Sequence, residues 1–403
     1  MVNCLSQTAT SNKQLKTINF QTNNPMSLSI IRNLKNKIDI STVVFYILSF
    51  SIITFLYSNC IEPIDVDFTE GEERLIVDGM ITNKPGPYEV KLSTSAIYGK
   101  SGYDGVAHPV SGAVLTISDD LGNSEVLTQK NISGYIIEGT YTTQVGGIQG
   151  VVGRTYSLHI ITSDGNQYES VPQIMKAVSD IDFIDYEFGS RDIVNENNVM
   201  VSEYGFDVFV NFQDPPEHGD YYKWKWKGTY EVETQPELYV EYDRFGNAIP
   251  SPKDCCKTCW IHERQKNSLN ILEDTYINGN SSRVKLIFIP YKRFYFKKYY
   301  IKIEQYSLSY EAHKFWKLIE DQLASVGGIF DPPPSEISGN ILNINDNGDV
   351  VLGYFSVSAV SEKDTFITSY DINIPIADME FHDDCRVLTG SSAIMPDYWN
   401  EYE

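Results

Sequence analysis

From Arg74 onward, turn-forming clusters break this chain into short segments that alternate apolar and polar residues. That pattern limits the fold more than any other feature, because a period of two puts successive side chains on opposite faces of a strand. RLIVDGMITN alternates and ends in the turn cluster Asn83-Lys84-Pro85-Gly86-Pro87, and YEVKLST follows. PVSGAVLTISDDLGNSEVLTQ reads as two strands joined at Asp119-Asp120-Leu121-Gly122-Asn123. GRTYSLHIITSDGNQYESVPQI gives two more around Asp164-Gly165-Asn166, where Asp-Gly supplies the positive φ of a tight hairpin. Strands this short with turns this regular predict a β-sandwich over residues 73–176.

Residues 177–403 are again strand-rich, with heavy use of aromatic residues. In YYKWKWKGTYEVET, Tyr222, Trp224 and Trp226 point one way and Lys223, Lys225 and Lys227 the other. Two readings are open. The aromatic stripe is a ligand-facing platform for a sugar or peptide, or it is the buried face of a sheet whose lysines meet water. One helix is expected over about 309–326. Ser309 caps it, Ala312, Trp316, Ile319 and Leu323 lie at helical spacing with Phe315 beside them, and Gly327-Gly328 ends it. Asp331-Pro332-Pro333-Pro334 then forces an extended segment. A C-terminal hairpin turns at Asp346-Asn347-Gly348-Asp349, and TFITSYDINIP is the expected last strand. The acids of that turn could offer oxygen ligands to calcium, but they lack the spacing of a calcium loop, and a hairpin turn explains them.

The 403 residues are 42% hydrophobic and 13% aromatic, enough to build real cores. A net charge of −22 repels phosphate backbones, so nucleic acid is not an expected partner. Residues 42–57, TVVFYILSFSIITFLY, carry no charge, fall short of a spanning helix, and follow Arg32, Lys35 and Lys37. Basic region, apolar region and small polar residues together read as a secretory signal, with Met26 the expected start and residues 1–59 upstream leader and signal. The cut is expected before Cys60, whose thiol would carry lipid and anchor the chain to a membrane. The alternative is a transmembrane anchor with an incidental cysteine. Residues 60–72, acidic and aperiodic, read as a tether.

An exported chain with Cys255, Cys256, Cys259 and Cys385 points to disulfides. Three pairings are open. The preferred one ties the 255–259 loop to Cys385, with the adjacent Cys255 and Cys256 not bonded to each other. A zinc knuckle from Cys256, Cys259 and His262, with His382 and Cys385, is the sharper alternative. No G-x-S-x-G, H-E-x-x-H or phosphate loop is present, so no catalytic residue, cofactor or metal is expected and an enzyme is the minority expectation.

VSGAVLTI, and YSLHI ahead of Asp164-Gly165, resemble the immunoglobulin-like and carboxypeptidase-regulatory-like surface modules. RLIVDGMITNKPGPYEVKLS, YSLSYEAHKFWKLIEDQLASVGGIFDPPPSEISGNI, VLGYFSVSAVS and DCRVLTGSSAIMPDYW together resemble the Bacteroidota surface-lipoprotein family called domain of unknown function 4249. The tail departs from it at Gly390-Ser391, where a Gly-Gly pair is expected. The expected fold is mostly β: an N-terminal immunoglobulin-like β-sandwich, then a larger β-rich domain with one packed α-helix. The resemblance implies a cell-envelope lipoprotein of a kind often encoded near TonB-dependent outer-membrane transporters. The acidic Glu62 and Asp65 behind Cys60 resemble a signal for display on the outer surface, so the expected place is the outer membrane, lipid-anchored and facing the cell surface. Its role would be non-enzymatic binding of a small molecule, glycan or peptide, or service to a TonB-dependent outer-membrane receptor. An envelope hydrolase with paired carboxylates, or an adhesin or structural stalk, are the alternatives.

Overall fold

The alternation in LIVDGMIT is realised as strand β1 (Leu75–Thr82), with Val77 and Ile81 wholly buried and Asp78 exposed. In the computed structural model, residues 48, 73–96, 106–266, 268–294, 297–324, 337–346, 348–372, 374 and 381–400 are described. The apolar stretch 42–57, Cys60, the tether 60–72 and the proline run at 331–334 lie outside the described residues. The principal strands that follow are β2 (Glu89–Thr94), β3 (Val114–Asp119), β4 (Tyr135–Thr142), β5 (Thr155–Ile161) and β6 (Gln167–Ser170). Next come β7 (Ile181–Val194), β8 (Met200–Gln213), β9 (Tyr221–Glu233), β10 (Thr258–Arg264), β11 (Ser281–Pro290) and β12 (Lys298–Leu308). Helix α1 (Tyr310–Ala324), then β13 (Ser338–Asn343), β14 (Val350–Ser358) and β15 (Val360–Thr368), complete the set used below. Among the described residues from 73 onward the fold is mostly β with one α-helix.

The first sheet has twelve described strands and runs β3-β5-β6-β13-β14-β1-β2-β4 through its centre. The sheet rolls on itself. Tyr141, on β4, donates its hydroxyl to the Val110 carbonyl at 3.0 Å and accepts from Ala113 N at 3.0 Å, next to β3 at the other end of the path. Leu115, Ile117, Tyr141, Leu158 and Phe355 thus share one core. The C-terminal hairpin, expected among the strands of 177–403, instead belongs here. β14 lies parallel to β1, with Val77 opposite Gly353, and β13 pairs with β6. The last strands therefore fill the middle of the sheet that the first strands began.

A second sandwich packs the three-stranded sheet β7-β8-β11 against a six-stranded sheet running β15-β12-β9-β10. Its core holds Phe206, Val208, Val210 and Phe212 from β8, Tyr222 and Trp224 from β9, and Tyr299, Ile301 and Ile303 from β12. Val178 packs against both cores. Helix α1 forms as its sequence signals indicate. Ser309 accepts from Ala312 N at 3.1 Å, and Ala312 and Phe315 are buried, with Phe315 4.9 Å from the Tyr354 ring of β14. Leu323, expected on the apolar face, is instead exposed among the described residues.

Candidate functional site: a lysine-lined cleft

Strand β9 faces two ways, and its two faces settle the open readings. Tyr222 and Trp224 are buried in the second core, and Trp226 packs against it half-buried. Tyr222 donates to Asp214 Oδ1 at 2.6 Å, and Trp224 Nε1 donates to Gln305 Oε1 at 2.7 Å. The ligand-facing reading of the three aromatics is therefore corrected: all three pack against the core, and the polar tips of Tyr222 and Trp224 are used inside the protein. The opposite face holds the surprise. Lys225 and Lys227 are exposed as expected, but Lys223 is only 7% exposed.

Lys223, Lys225 and Lys227 form one wall of a cleft of about 600 Å³. Glu304 and Tyr306 of β12, Glu362 of β15 and Trp316 of α1 continue that wall. The facing wall comes from the first sheet: Asp78 and Met80 of β1, the turn at Lys84 and Pro85, and Glu89 and Lys91 of β2. The turn is held in place from both sides. Tyr88 donates its hydroxyl to the carbonyl oxygens of Thr82, at 2.7 Å, and Lys84. Asn83 Oδ1 accepts from Val360 N, at the start of β15, at 2.7 Å.

The charges in the cleft are unevenly matched. Lys227 pairs with Glu304 at 2.9 Å, and Tyr306 donates to the other oxygen of that carboxylate at 2.8 Å. Burial pushes the Glu304 carboxyl up, but these two hydrogen bonds outweigh it and hold the group below its ordinary range. Lys302 pairs with Glu362 at 2.8 Å, and Lys130 pairs with Glu89, both reaching in from residues outside the lining. Glu304 and Glu362 stand opposite each other across β12 and β15, yet each is engaged by a lysine. Among the described residues, Lys223 and Lys225 have no carboxylate within ion-pairing distance. The Lys223 ammonium lies 3.0 Å from the centre of the Trp316 ring, and Lys225 lies 5.4 Å from that of Tyr306. Burial drives the Lys223 amine well below the ordinary lysine range, Lys225 pushes the same way, and Asp78 opposes them. A buried, strongly shifted lysine in a cleft marks a candidate site on physical grounds.

The remaining candidates resolve differently. Cys259 and Cys385 form a disulfide with Cα atoms 5.8 Å apart, tying the 255–259 loop to the tail as expected. Cys255 and Cys256 are bonded to each other, against expectation, across a cis peptide that brings their Cα atoms to 3.0 Å. With all four sulfurs in disulfides, no thiolate remains for the zinc alternative, and His262 Nδ1 instead meets Thr229 Oγ1 at 3.0 Å. The 346–349 acids serve their hairpin turn: Gly348 N donates to Asp346 Oδ1, and Asn343 Nδ2 donates to Asp349 Oδ2. Trp316 was legible as a helix-face residue, but its contact with Lys223 was not, since no local spacing links residues on a strand and a later helix.

No curated protein and no solved structure matches the chain. The model of a family described as a domain of unknown function, number 4249, matches residues 61–364. That span covers β1 through most of β15 and includes every residue that lines the cleft. The chain therefore belongs to the family of domain of unknown function 4249.

Proposed function

We propose that this chain is a lipid-anchored capture protein of the cell envelope, displayed on the outer membrane of a Bacteroidota cell, that binds its ligand without transforming it. The observation that carries the reading is the cleft between the two β-layers: concave, lysine-lined, and with its facing carboxylates Glu304 and Glu362 each engaged by a lysine. Carboxylates held this way suit ligand positioning better than acid–base hydrolysis, which needs one free acid and one free base. Two disulfides support an oxidising compartment, and the apolar run ahead of Cys60 supports export and acylation there. Service to a TonB-dependent outer-membrane receptor is the partnership that fits such a tethered binder.

Mass spectrometry of the protein isolated from membranes, together with crosslinking in intact cells, tests the proposal. The expected result is a diacylglyceryl-modified, N-acylated Cys60 as first residue and an outer-membrane barrel among the crosslinked partners. An unmodified thiol at Cys60 with residues 1–59 still attached would overturn it.

A further inference from the structure

We propose that the cleft takes a small oxyanionic ligand, with Lys223 and Lys225 as the anion contacts and Lys91 at the rim. This rests on the capture reading and adds the chemistry of what is captured.

Lys223 carries the argument furthest. Its residue is 7% exposed, it lines the cleft, and among the described residues it has neither a carboxylate nor a hydrogen-bond acceptor. A buried ammonium without an anion costs stability, and an entering anion would remove that cost, which marks this group in a cleft as a candidate ligand contact. The Trp316 indole N–H is also buried without an acceptor among the described residues, so the ring under the ammonium carries a second unanswered polar group. Lys225, next on the same face, is exposed and lies across from Glu304 on β12, but that carboxylate is engaged by Lys227, and among the described residues Lys225 makes no ion pair. The acids of the lining do not ion-pair with these two lysines, although Asp78 acts on Lys223 from the facing wall. Glu304 is taken by Lys227, while Glu362 and Glu89 are neutralised from outside by Lys302 and Lys130. Asp78 remains, directly opposite Lys91 across β1 and β2. A cationic pocket on a chain of net charge −22 also discriminates: its surroundings repel anions that do not reach the lysines. The volume of about 600 Å³ suits a small molecule or a short oligomer. Carboxylate, sulfate and phosphate share the chemistry that the two lysines recognise.

Titration calorimetry on the full chain in detergent tests this with oligogalacturonate for carboxylate, a heparin oligosaccharide for sulfate, inorganic phosphate, and a neutral maltooligosaccharide as control. At least one anionic probe binds, its affinity falls as salt rises, and Lys225→Gln and Lys223→Met each weaken it about tenfold or more. Lys257→Gln, an exposed residue just ahead of β10 and outside the cleft lining, leaves affinity unchanged. The probe that binds names the anion. No binding of any anionic probe, equal binding of the neutral sugar, or lysine variants that bind like the parent would each overturn the proposal. If these fail while Cys60 is acylated and a barrel crosslinks, the ligand class falls and the capture reading stands.

Discussion

The ammonium of Lys223, on the central strand of the six-stranded sheet, sits 3.0 Å from the centre of the Trp316 ring on helix α1. The contact joins two elements more than ninety residues apart in sequence and places a cation where burial disfavours it. Cation–π attraction offsets part of that cost, but aromatic rings do not replace a counter-ion.

Replacing Lys223 with Met is expected to stabilise the protein. Met keeps the apolar stem and offers sulfur to the indole, while removing an unmatched amine at a cost recovered of roughly 1–3 kcal/mol. The pH dependence separates this from generic packing. The unfolded chain holds the Lys223 proton up to the ordinary value of 10.5, whereas the folded chain releases it earlier. Between those two values the unfolded state binds more protons, so parental stability rises with pH in that window. Urea midpoints across neutral to alkaline pH should rise for the parent relative to Lys223→Met. Parallel curves would mean that the amine is not desolvated in solution.

Trp224 is expected to behave as a core residue and not as a ligand contact. Its indole is 1% exposed and its N–H serves Gln305, whose amide in turn donates to the Ser179 carbonyl at 2.7 Å. Trp224→Ala should cost about 3–5 kcal/mol through the cavity. Trp224→Phe should cost about 1–3 kcal/mol because Gln305 Oε1 loses its donor. Affinity for the cleft ligand, measured on Trp224→Phe below its melting temperature, should not change; a loss of affinity with stability intact would return the aromatic stripe to the binding surface.

Why one face of β9 was readable and the other was not follows from the range of the forces involved. Alternation in YYKWKWK is a local property, so the strand and its two faces were legible, as were the Ser309 cap and the turn at 346–349. Which face meets water is decided by what packs on it. Nothing near Lys223 in sequence announces Trp316 or the β1–β2 turn. The same limit hid the place of β14, since a parallel partner such as β1 leaves no short connection to read. The expectation that Cys255 and Cys256 stay apart rests on the strain of a bond between neighbours, and the structure bonds them nonetheless.

The two disulfides should differ sharply in worth. Cys259 and Cys385 are separated by 126 residues and both are fully buried, in a cluster with Val232 and Ile261. Opening that long loop by Cys259→Ala with Cys385→Ala should cost roughly 2–5 kcal/mol. Cys255 and Cys256 are neighbours in sequence, so their bond restrains almost none of the unfolded chain. Cys255→Ser with Cys256→Ser is expected to shift the denaturation midpoint far less than the first pair. Equal losses would indicate that the 255–259 loop, and not loop closure, carries the stability.

Gly353 tests whether the C-terminal hairpin is a structural part of the first sheet. It has φ +85°, and a Cβ built there would lie 2.0 Å from the Val77 carbonyl oxygen on β1. Gly165, in the β5–β6 turn, shares a positive φ of +90° but has nothing within 4 Å of the same position. Gly165→Ala therefore reports the backbone cost alone, about 1 kcal/mol. Gly353→Ala adds displacement of β14 from β1 and is expected to cost about 3 kcal/mol or more, read as a lower urea midpoint. Because β14 also presents Ser356 to the cleft and Tyr354 to helix α1, the same variant should weaken ligand binding at temperatures where it remains folded. If Gly353→Ala matched Gly165→Ala in stability, the parallel seam between β1 and β14 would not be close-packed, and the wall that positions Asp78 opposite the lysines would lose its physical basis.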